Sequence, residues 1–517
     1  MMKNYFMKGS ILLIIVICMF SSVVYGNYEV EEVVVPEQYN IGYSFSEGLV
    51  LTEKYDSKYG YLNKNGEEVI SCIYDEAYNF SEALAVVKNY GKYGYINTKG
   101  DIIVPCIYDN AYDFTNGLAV VSYNEKYGYI DKNGEEVIPC IYKEAYNFSE
   151  GLAAIKINNK YGYINKYGDI IIPCIYDEAY DFSEGLAVIK INNKYGYIDK
   201  KGEKVIPCMY NHACSFSEGL AAVQIDKSYG YIDIVGNLII PFLYREANEF
   251  VNDTAIVEQE GLYGCINKKG EEVFPIEYKW INPLSEGLYA VNKYSSCGYI
   301  DRDEREIIPF IYENTSSFSD GLGIVQKDGK QGCIDFKGNI IVPCIYDSVN
   351  TFSEGVIIVE KEYEQKILKI TEKQEGIKTP SKVYINGQEV GFEAYNIEGN
   401  NYFKLRDLAY ALNNTEKQFE VTWNEEYNRI DLISNKNYTK VGNELENLNT
   451  NGENKVGTRT TSNIYLNSNE VKLKSYNIEG YNYFKLRDLL EKIDCEVVYD
   501  ETTRNIHINT ANRYVAE

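Results

Sequence analysis

Apolar and polar positions recur along most of this chain with a period of 34 residues. Residues 135–168 show one unit. Glu-Glu-Val-Ile-Pro-Cys-Ile-Tyr, ending at Tyr142, predicts an apolar strand that Pro139 confines to a sheet edge or a bulge. Tyr146 to Gly151 reads as a loop, Leu152 to Ile157 as a second strand, and Asn158-Asn159-Lys160 as a tight turn. Tyr161 to Asn165 gives a third strand, and Lys166-Tyr167-Gly168 turns into the next unit, with glycine where positive φ is needed. The pattern predicts a three-stranded β meander.

Three strings fix the period. Tyr-Gly stands at Tyr59, Tyr93, Tyr127, Tyr161, Tyr195, Tyr229 and Tyr263, then weakens to Cys297-Gly298 and Gln331-Gly332. The strand-end tyrosine recurs from Tyr74 to Tyr346, and the Phe-Ser-Glu-Gly-Leu string from Phe45 to Phe352. Ten units result, the first recognisable at Glu31 and the last fading after Ile370. A unit of this size cannot bury enough surface to fold alone, so neighbours must share a core. Propeller blades usually have four strands and number four to eight. Ten three-stranded units therefore favour an extended, curved, open array over a closed propeller.

Lys126 to Gly134 (Lys-Tyr-Gly-Tyr-Ile-Asp-Lys-Asn-Gly), followed by Val-Ile-Pro and Phe-Ser-Glu-Gly-Leu, closely resembles the bacterial WG-repeat family. Tyr replaces the eponymous Trp in seven copies. The resemblance covers roughly residues 31–360 and implies an all-β array with no defined activity.

After the polar stretch Thr371 to Gly376, expected to be a linker, a different duplication begins. Val383 to Gly387 corresponds to Ile464 to Ser468, Tyr395 to Gly399 to Tyr476 to Gly480, and Tyr402 to Leu408 to Tyr483 to Leu489. Each copy predicts short strands, one helix and a closing hairpin. The copies resemble the stalk domain found at the N-terminus of some copper amine oxidases and on secreted or wall-associated bacterial proteins. Phe-Lys stands where that family usually has Val-Pro, and nothing here resembles the oxidases' catalytic domain. The expected organisation is a signal peptide at 1–26, the array at 27–373, stalk-like copies at 381–434 and 463–510, and a flexible linker at 435–462 between them.

Chemistry changes this picture little. Lys3 and Lys8, the apolar run Ile11 to Phe20 and the small residues before Asn27 read as an export signal cut near Gly26. Its loss takes the net charge from −25 to −27, which argues against nucleic acid as a partner. No later stretch is long enough for a transmembrane anchor. Cys72, Cys106, Cys140, Cys174, Cys208 and Cys344 share one repeat position that Phe242, Ile276 and Phe310 fill elsewhere. That interchange favours buried thiols over disulfides or metal ligation. His212 and His507 are the only histidines, too few for a multi-histidine copper site, and no cofactor, metal or catalytic residue is expected. Glu47, Glu82, Glu150, Glu184, Glu218, Glu286 and Glu354 share one loop position. They read as a solvated edge or, alternatively, a row for calcium or basic ligands.

The sequence thus predicts a non-catalytic secreted or wall-associated bacterial protein. It would bind an extracellular protein or a wall or host polysaccharide, with Tyr59, Tyr93, Tyr127, Tyr161, Tyr195, Tyr229 and Tyr263 as candidate contacts. An exported wall-polymer hydrolase and a purely structural spacer are the alternatives.

Overall fold

The structure is a computed structural model and describes residues 22–25, 27–424, 429–442, 444–445, 454–460, 462–467 and 469–515. Most of the expected signal segment, including Gly26, lies outside the described residues. Ser22–Tyr25 forms a hairpin with Tyr28–Val34.

The chain is mainly β, and the tandem units are real, but each folds with a fourth strand. In residues 144–176 the sheet order is Glu144–Ala145, Leu152–Ile157, Lys160–Asn165, Ile170–Tyr176. The extra strand comes from the start of the segment expected to be a loop. Its pairing is short, Glu144 with Lys156 and Ala145 with Ile155, and an isolated bridge joins Ser149 to Leu152.

Each strand's sequence matches its position. Leu152 to Ile155 is a continuous apolar run because both of its faces are covered by neighbouring sheets. In the third strand, a Cβ on Gly162 would lie 2.5 Å from the Ile172 carbonyl oxygen, so glycine alone admits the crossing fourth strand. That fourth strand alternates exposed and buried residues on the open edge, and its register breaks around Pro173. The turn between them is held by Asn165, whose Oδ1 accepts the N–H groups of Tyr167 (2.9 Å) and Asp169 (3.0 Å).

Sheets pack face to face as blades. Leu152, Ala154, Tyr163, Ile172 and Tyr176 of one meet Phe182, Ala187, Ile189 and Ile198 of the next. Tyr163 is fully buried there, and its hydroxyl donates to the Tyr180 carbonyl across the interface at 2.7 Å. The same bond recurs from Tyr61, Tyr95, Tyr129, Tyr197, Tyr231 and Tyr299.

The array closes, contrary to the expectation of an open curve. Nine sheets are built from consecutive strands. The tenth takes Ser348–Val349, Val356–Lys361 and Glu364–Lys378 from one end of the array, and its fourth strand, Tyr28–Val34, from the other. Val33, Val35, Ile41, Phe45 and Val50 then pack on Val356, Ile358 and Ile367 in one cluster. An open array would leave two apolar end faces needing caps; here they cover each other. The result is a ten-bladed propeller. We number its blades from residues 39–74 (blade 1) to the composite blade 10.

Glu364–Lys378 does not stop at the ring. The stretch expected to be a linker continues as strand, pairing through Lys373–Gly376 with Lys455–Arg459 and through Ile377–Lys378 with Ala394–Ile397. Glu372 is held there by Tyr476 and Gln374 and faces Lys474. Lys455–Arg459 itself lies within 435–462, so part of that expected flexible segment is built into a sheet.

The two C-terminal copies interlock. Val383–Ile385 of the first pairs in parallel with Asn505–Asn509 of the second, and Arg429–Ser434 of the first with Asn463–Leu466 of the second. The helices Leu405–Ala411 and Leu486–Lys492 share one core with Phe403 and Phe484. A reciprocal tyrosine pairing, Tyr395 on Tyr483 and Tyr402 on Tyr476, joins the halves at 5.5 and 5.3 Å.

Candidate binding surface

The seven candidate tyrosines stand on the third strands of blades 1 to 7, each half-buried. Three of them share one arrangement. In blade 2, Glu76 on the first strand accepts from Lys88 on the second (2.6 Å) and from Tyr93 on the third (2.7 Å). Blades 4 and 5 repeat it with Glu144, Lys156 and Tyr161, and with Glu178, Lys190 and Tyr195. The lysine ammonium also lies over the tyrosine ring, 4.6 to 5.0 Å from its centre. The Lys88 and Lys190 ammonium groups hold Glu76 and Glu178 below the usual carboxylate range.

Blades 1, 3, 6 and 7 vary the theme. Tyr127 has Asn110 and Ser122 on its row, and Tyr59 has Asn40 and Glu53. His212 sits between the rings of Tyr195 and Tyr229, at 5.7 and 5.9 Å. Tyr263 donates to Glu246 at 3.1 Å, but Glu258 stands where blades 2, 4 and 5 have lysine.

A second row of tyrosines escapes a sequence reading. Tyr78 and Tyr180 lie on the first strands of their blades, Tyr112 and Tyr146 directly follow theirs, and all four are 45 to 50 % exposed. Tyr112, Tyr146 and Tyr180 lie 6.2 to 6.5 Å from the candidates Tyr127, Tyr161 and Tyr195. Burial pushes the Tyr78 phenol up to about 12 and raises Tyr146 and Tyr180 as well, so these hydroxyls stay protonated donors at neutral pH. Blades 2 to 5 therefore carry a doubled aromatic arc, whereas blades 6, 7, 9 and 10 place Cys214, Asn248, Ser316 and Asn350 at the outer position. The signal available beforehand was a tyrosine two residues before the phenylalanine in five consecutive units, beginning with Tyr43 of blade 1.

The acidic row has a structural job. Glu150 accepts the N–H of Gly185 in the following blade (3.1 Å), Glu184 that of Gly219 (2.9 Å), and Glu218 those of Asn252 and Asp253 (2.6 and 2.8 Å). Lys200 and Lys268 pair with Glu150 and Glu218 at 3.0 and 3.1 Å. Ser149, Ser183, Ser217 and Ser285 each donate to the phenylalanine carbonyl of the next blade at 2.7 Å. A variant of this latch closes the ring: Glu354 accepts the Gly48 N–H (2.9 Å), as in those blades, whereas Ser353 accepts the Phe45 N–H (3.1 Å).

Cysteines show no redox pairing. The eleven among the described residues are all free. Cys72 is buried and the other five at the repeat position are half-buried against the neighbouring blade's core; burial raises their thiols, Cys72 to about 11. Among the described residues no cluster of three or more His, Cys, Asp and Glu side chains could hold a metal.

These ion pairs make stability depend on acid. Asp75, Asp109, Asp177 and Asp347 are held low by Lys58, Lys92, Lys160 and Lys330. A carboxylate lowered on folding stabilises above its unfolded pKa, about 4, and that contribution is lost as pH falls through the folded value. Asp113 and Asp181, raised by burial, act with the opposite sign. The lowered groups are more numerous, so Tm should hold from pH 8 to about 5 and fall steeply below about 4. A melting series across that range checks this, and a Tm that rises below pH 4 would contradict it.

A family model described as a WG containing repeat matches nine times, at residues 59–93, 93–127, 127–161, 161–195, 195–228, 229–263, 263–295, 298–330 and 332–363. The chain belongs to the WG-repeat family. The matches fall on the ring and start at each half-buried tyrosine in blades 1 to 7, the position that Lys88, Lys156 and Lys190 cover in blades 2, 4 and 5. No curated protein matches the chain. Among solved structures, a eukaryotic initiation factor is 10% identical with a TM-score of 0.40, covering 59% of this chain and 95% of its own. The WD40 domain of SCAP from fission yeast is 10% identical with a TM-score of 0.27, covering 66% and 97%. The extracellular domain of a one-component system from B. thetaiotaomicron is 10% identical with a TM-score of 0.23, covering 71% and 73%. These likenesses are remote, and the WG-repeat ring is defined by its own strand pairing.

Proposed function

We propose that this WG-repeat protein is a non-catalytic, exported scaffold whose ring binds an extended protein or polysaccharide along the tyrosine arc of blades 2 to 5. The carrying observation is the exposed row Tyr78, Tyr112, Tyr146 and Tyr180 backed by Tyr93, Tyr127, Tyr161 and Tyr195. Equivalent rings on successive blades offer one chemical group at a fixed spacing, which suits a ligand that is itself repetitive. Tyr59, Tyr229 and Tyr263 extend the inner row on either side. The stalk-like C-terminal unit, fixed to the ring by the continuous strand Glu364–Lys378, serves as spacer or wall attachment. Export rests on the N-terminal sequence pattern; among the described residues no helix is long and apolar enough to cross a membrane.

The test measures binding of the full mature chain to peptidoglycan, wall glycans and host matrix proteins. Each outer tyrosine changed to serine should weaken binding roughly threefold, and all four together roughly a hundredfold if the effects add. Unchanged binding in the fourfold variant would rule out the arc and leave the ring a spacer.

A further inference from the structure

The C-terminal unit carries a cleft of ≈360 Å³ between the two interlocked copies. Its walls bring together two half-exposed aromatic rings, Trp423 (46 % exposed) and Tyr481 (41 % exposed), from different copies. Tyr481 is held in place. The Lys404 ammonium, which also lines the cleft, sits 3.8 Å from its ring centre and 3.7 Å from the buried Asp407. Arg406 lines the same cleft, half-buried, and no carboxylate among the described residues pairs with it. Asn482 spends its carbonyl oxygen on Asn477, which leaves its amide N–H groups as donors.

We infer that this cleft binds an acidic sugar, a pyranose ring bearing a carboxylate, within an oligosaccharide. A pyranose has an apolar C–H face that packs on an aromatic ring and an equatorial rim of hydroxyls that needs amide and hydroxyl partners. Trp423 and Tyr481 supply the first, and Asn482, Thr460 and Thr422 the second. A guanidinium in a partly desolvated wall, with no carboxylate partner among the described residues, suits a planar carboxylate, which it can grip with two parallel hydrogen bonds. The size and mixed lining are those of a small-ligand site. The duplication provides an internal comparison. In the other half Asn400 stands where Tyr481 does and Tyr499 where Trp423 does, so the aromatic pair belongs to one half only. This site is independent of the tyrosine arc on the ring.

The chain has two tryptophans, Trp280 in blade 8 and Trp423 in the cleft. Full-length W280F therefore leaves Trp423 as the sole indole reporter. It is titrated with a tetrasaccharide of alternating glucuronic acid and N-acetylglucosamine, and with the same tetrasaccharide after carboxyl reduction. The expected result is a saturable change in Trp423 emission, with the acidic sugar bound about tenfold more tightly than the reduced one. Adding R406Q should remove that preference while keeping the neutral binding, and Y481A should weaken both sugars at least about tenfold by calorimetry. Y499A should change nothing. Should Y481A fail to fold, R406Q decides, because Arg406 makes no ion pair among the described residues. No emission change at millimolar sugar, equal affinity for the two sugars, or a preference that survives R406Q would each overturn the site. Fourfold substitution of the ring tyrosines should leave this titration unaltered, which separates its failure from failure of the arc.

Discussion

Removing residues 1–37 rather than 1–26 should lower the Tm by on the order of 10 °C and broaden the transition. The segment supplies the fourth strand of blade 10, pairing Tyr28 to Val34 with Lys366 to Glu372. Val30, Val33 and Val35 are 5 to 8 % exposed in the closed ring. Burying such a side chain stabilises by about 1.5–3 kcal/mol, so the three valines contribute roughly 5–9 kcal/mol, an upper estimate because unfolded chains already bury some surface. At about 2.1 cal/mol/K per residue, a ring of this length loses roughly 10 °C for such a change. The deletion also uncovers Val356, Ile358 and Ile367, so blades 10 and 1 lose their shared core. A chain starting at Asn27, which lacks residues 1–26 including the strand Ser22–Tyr25, should melt as the longer chain does. Calorimetry of the two truncations checks both statements, and equal Tm values would mean that ring closure contributes nothing.

The two tyrosines of one Tyr-Gly-Tyr triplet should differ sharply. Tyr163→Ala removes a fully buried ring that spans two blades and should cost about 3–5 kcal/mol, as large-to-small core changes do. Tyr163→Phe keeps the ring but strands the Tyr180 carbonyl, normally bonded at 2.7 Å, at a cost of about 1–2 kcal/mol. Tyr161→Ala, two residues away, removes a half-buried ring and its bond to Glu144, and should cost no more than about 1 kcal/mol. Urea unfolding of the three variants orders them. Comparable losses from Tyr161→Ala and Tyr163→Ala would show that Tyr161 is structural and unavailable to a ligand.

That contrast shows where a sequence reading reaches and where it stops. The period exposed the units, and Pro173 marked the edge strand and its break in register correctly, because proline has no N–H to offer a neighbour. The continuous run Leu152 to Ile155 already implied cover on both faces. The first strand stayed hidden because only Glu144 and Ala145 pair regularly, in a segment whose Tyr, Asn, Ser and Glu residues have turn-like composition. Closure was hidden for a different reason. Val30 and Val33 are apolar in any arrangement, and their partners lie more than 300 positions away, at Ile370 and Ile367. Glu150 and its equivalents looked like a solvated row because a carboxylate that accepts from the next blade's backbone has the same sequence as one facing water. In the C-terminal unit the duplication was visible, but Lys455–Arg459 and the exchange of strands between copies depend on long-range pairing that polar, linker-like composition does not announce. Tyr78, Tyr112, Tyr146 and Tyr180 were unremarked among so many tyrosines, since exposure is decided by the blade's position in the ring.

Electron-microscopic imaging of the isolated chain from Asn27 onward tests the closed ring most directly. The pairing of Tyr28–Val34 with Glu364–Lys378 predicts face-on averages showing an unbroken ring of ten radial sheets. An open arc, with a gap between the sheets containing Leu49 and Val356, would contradict it.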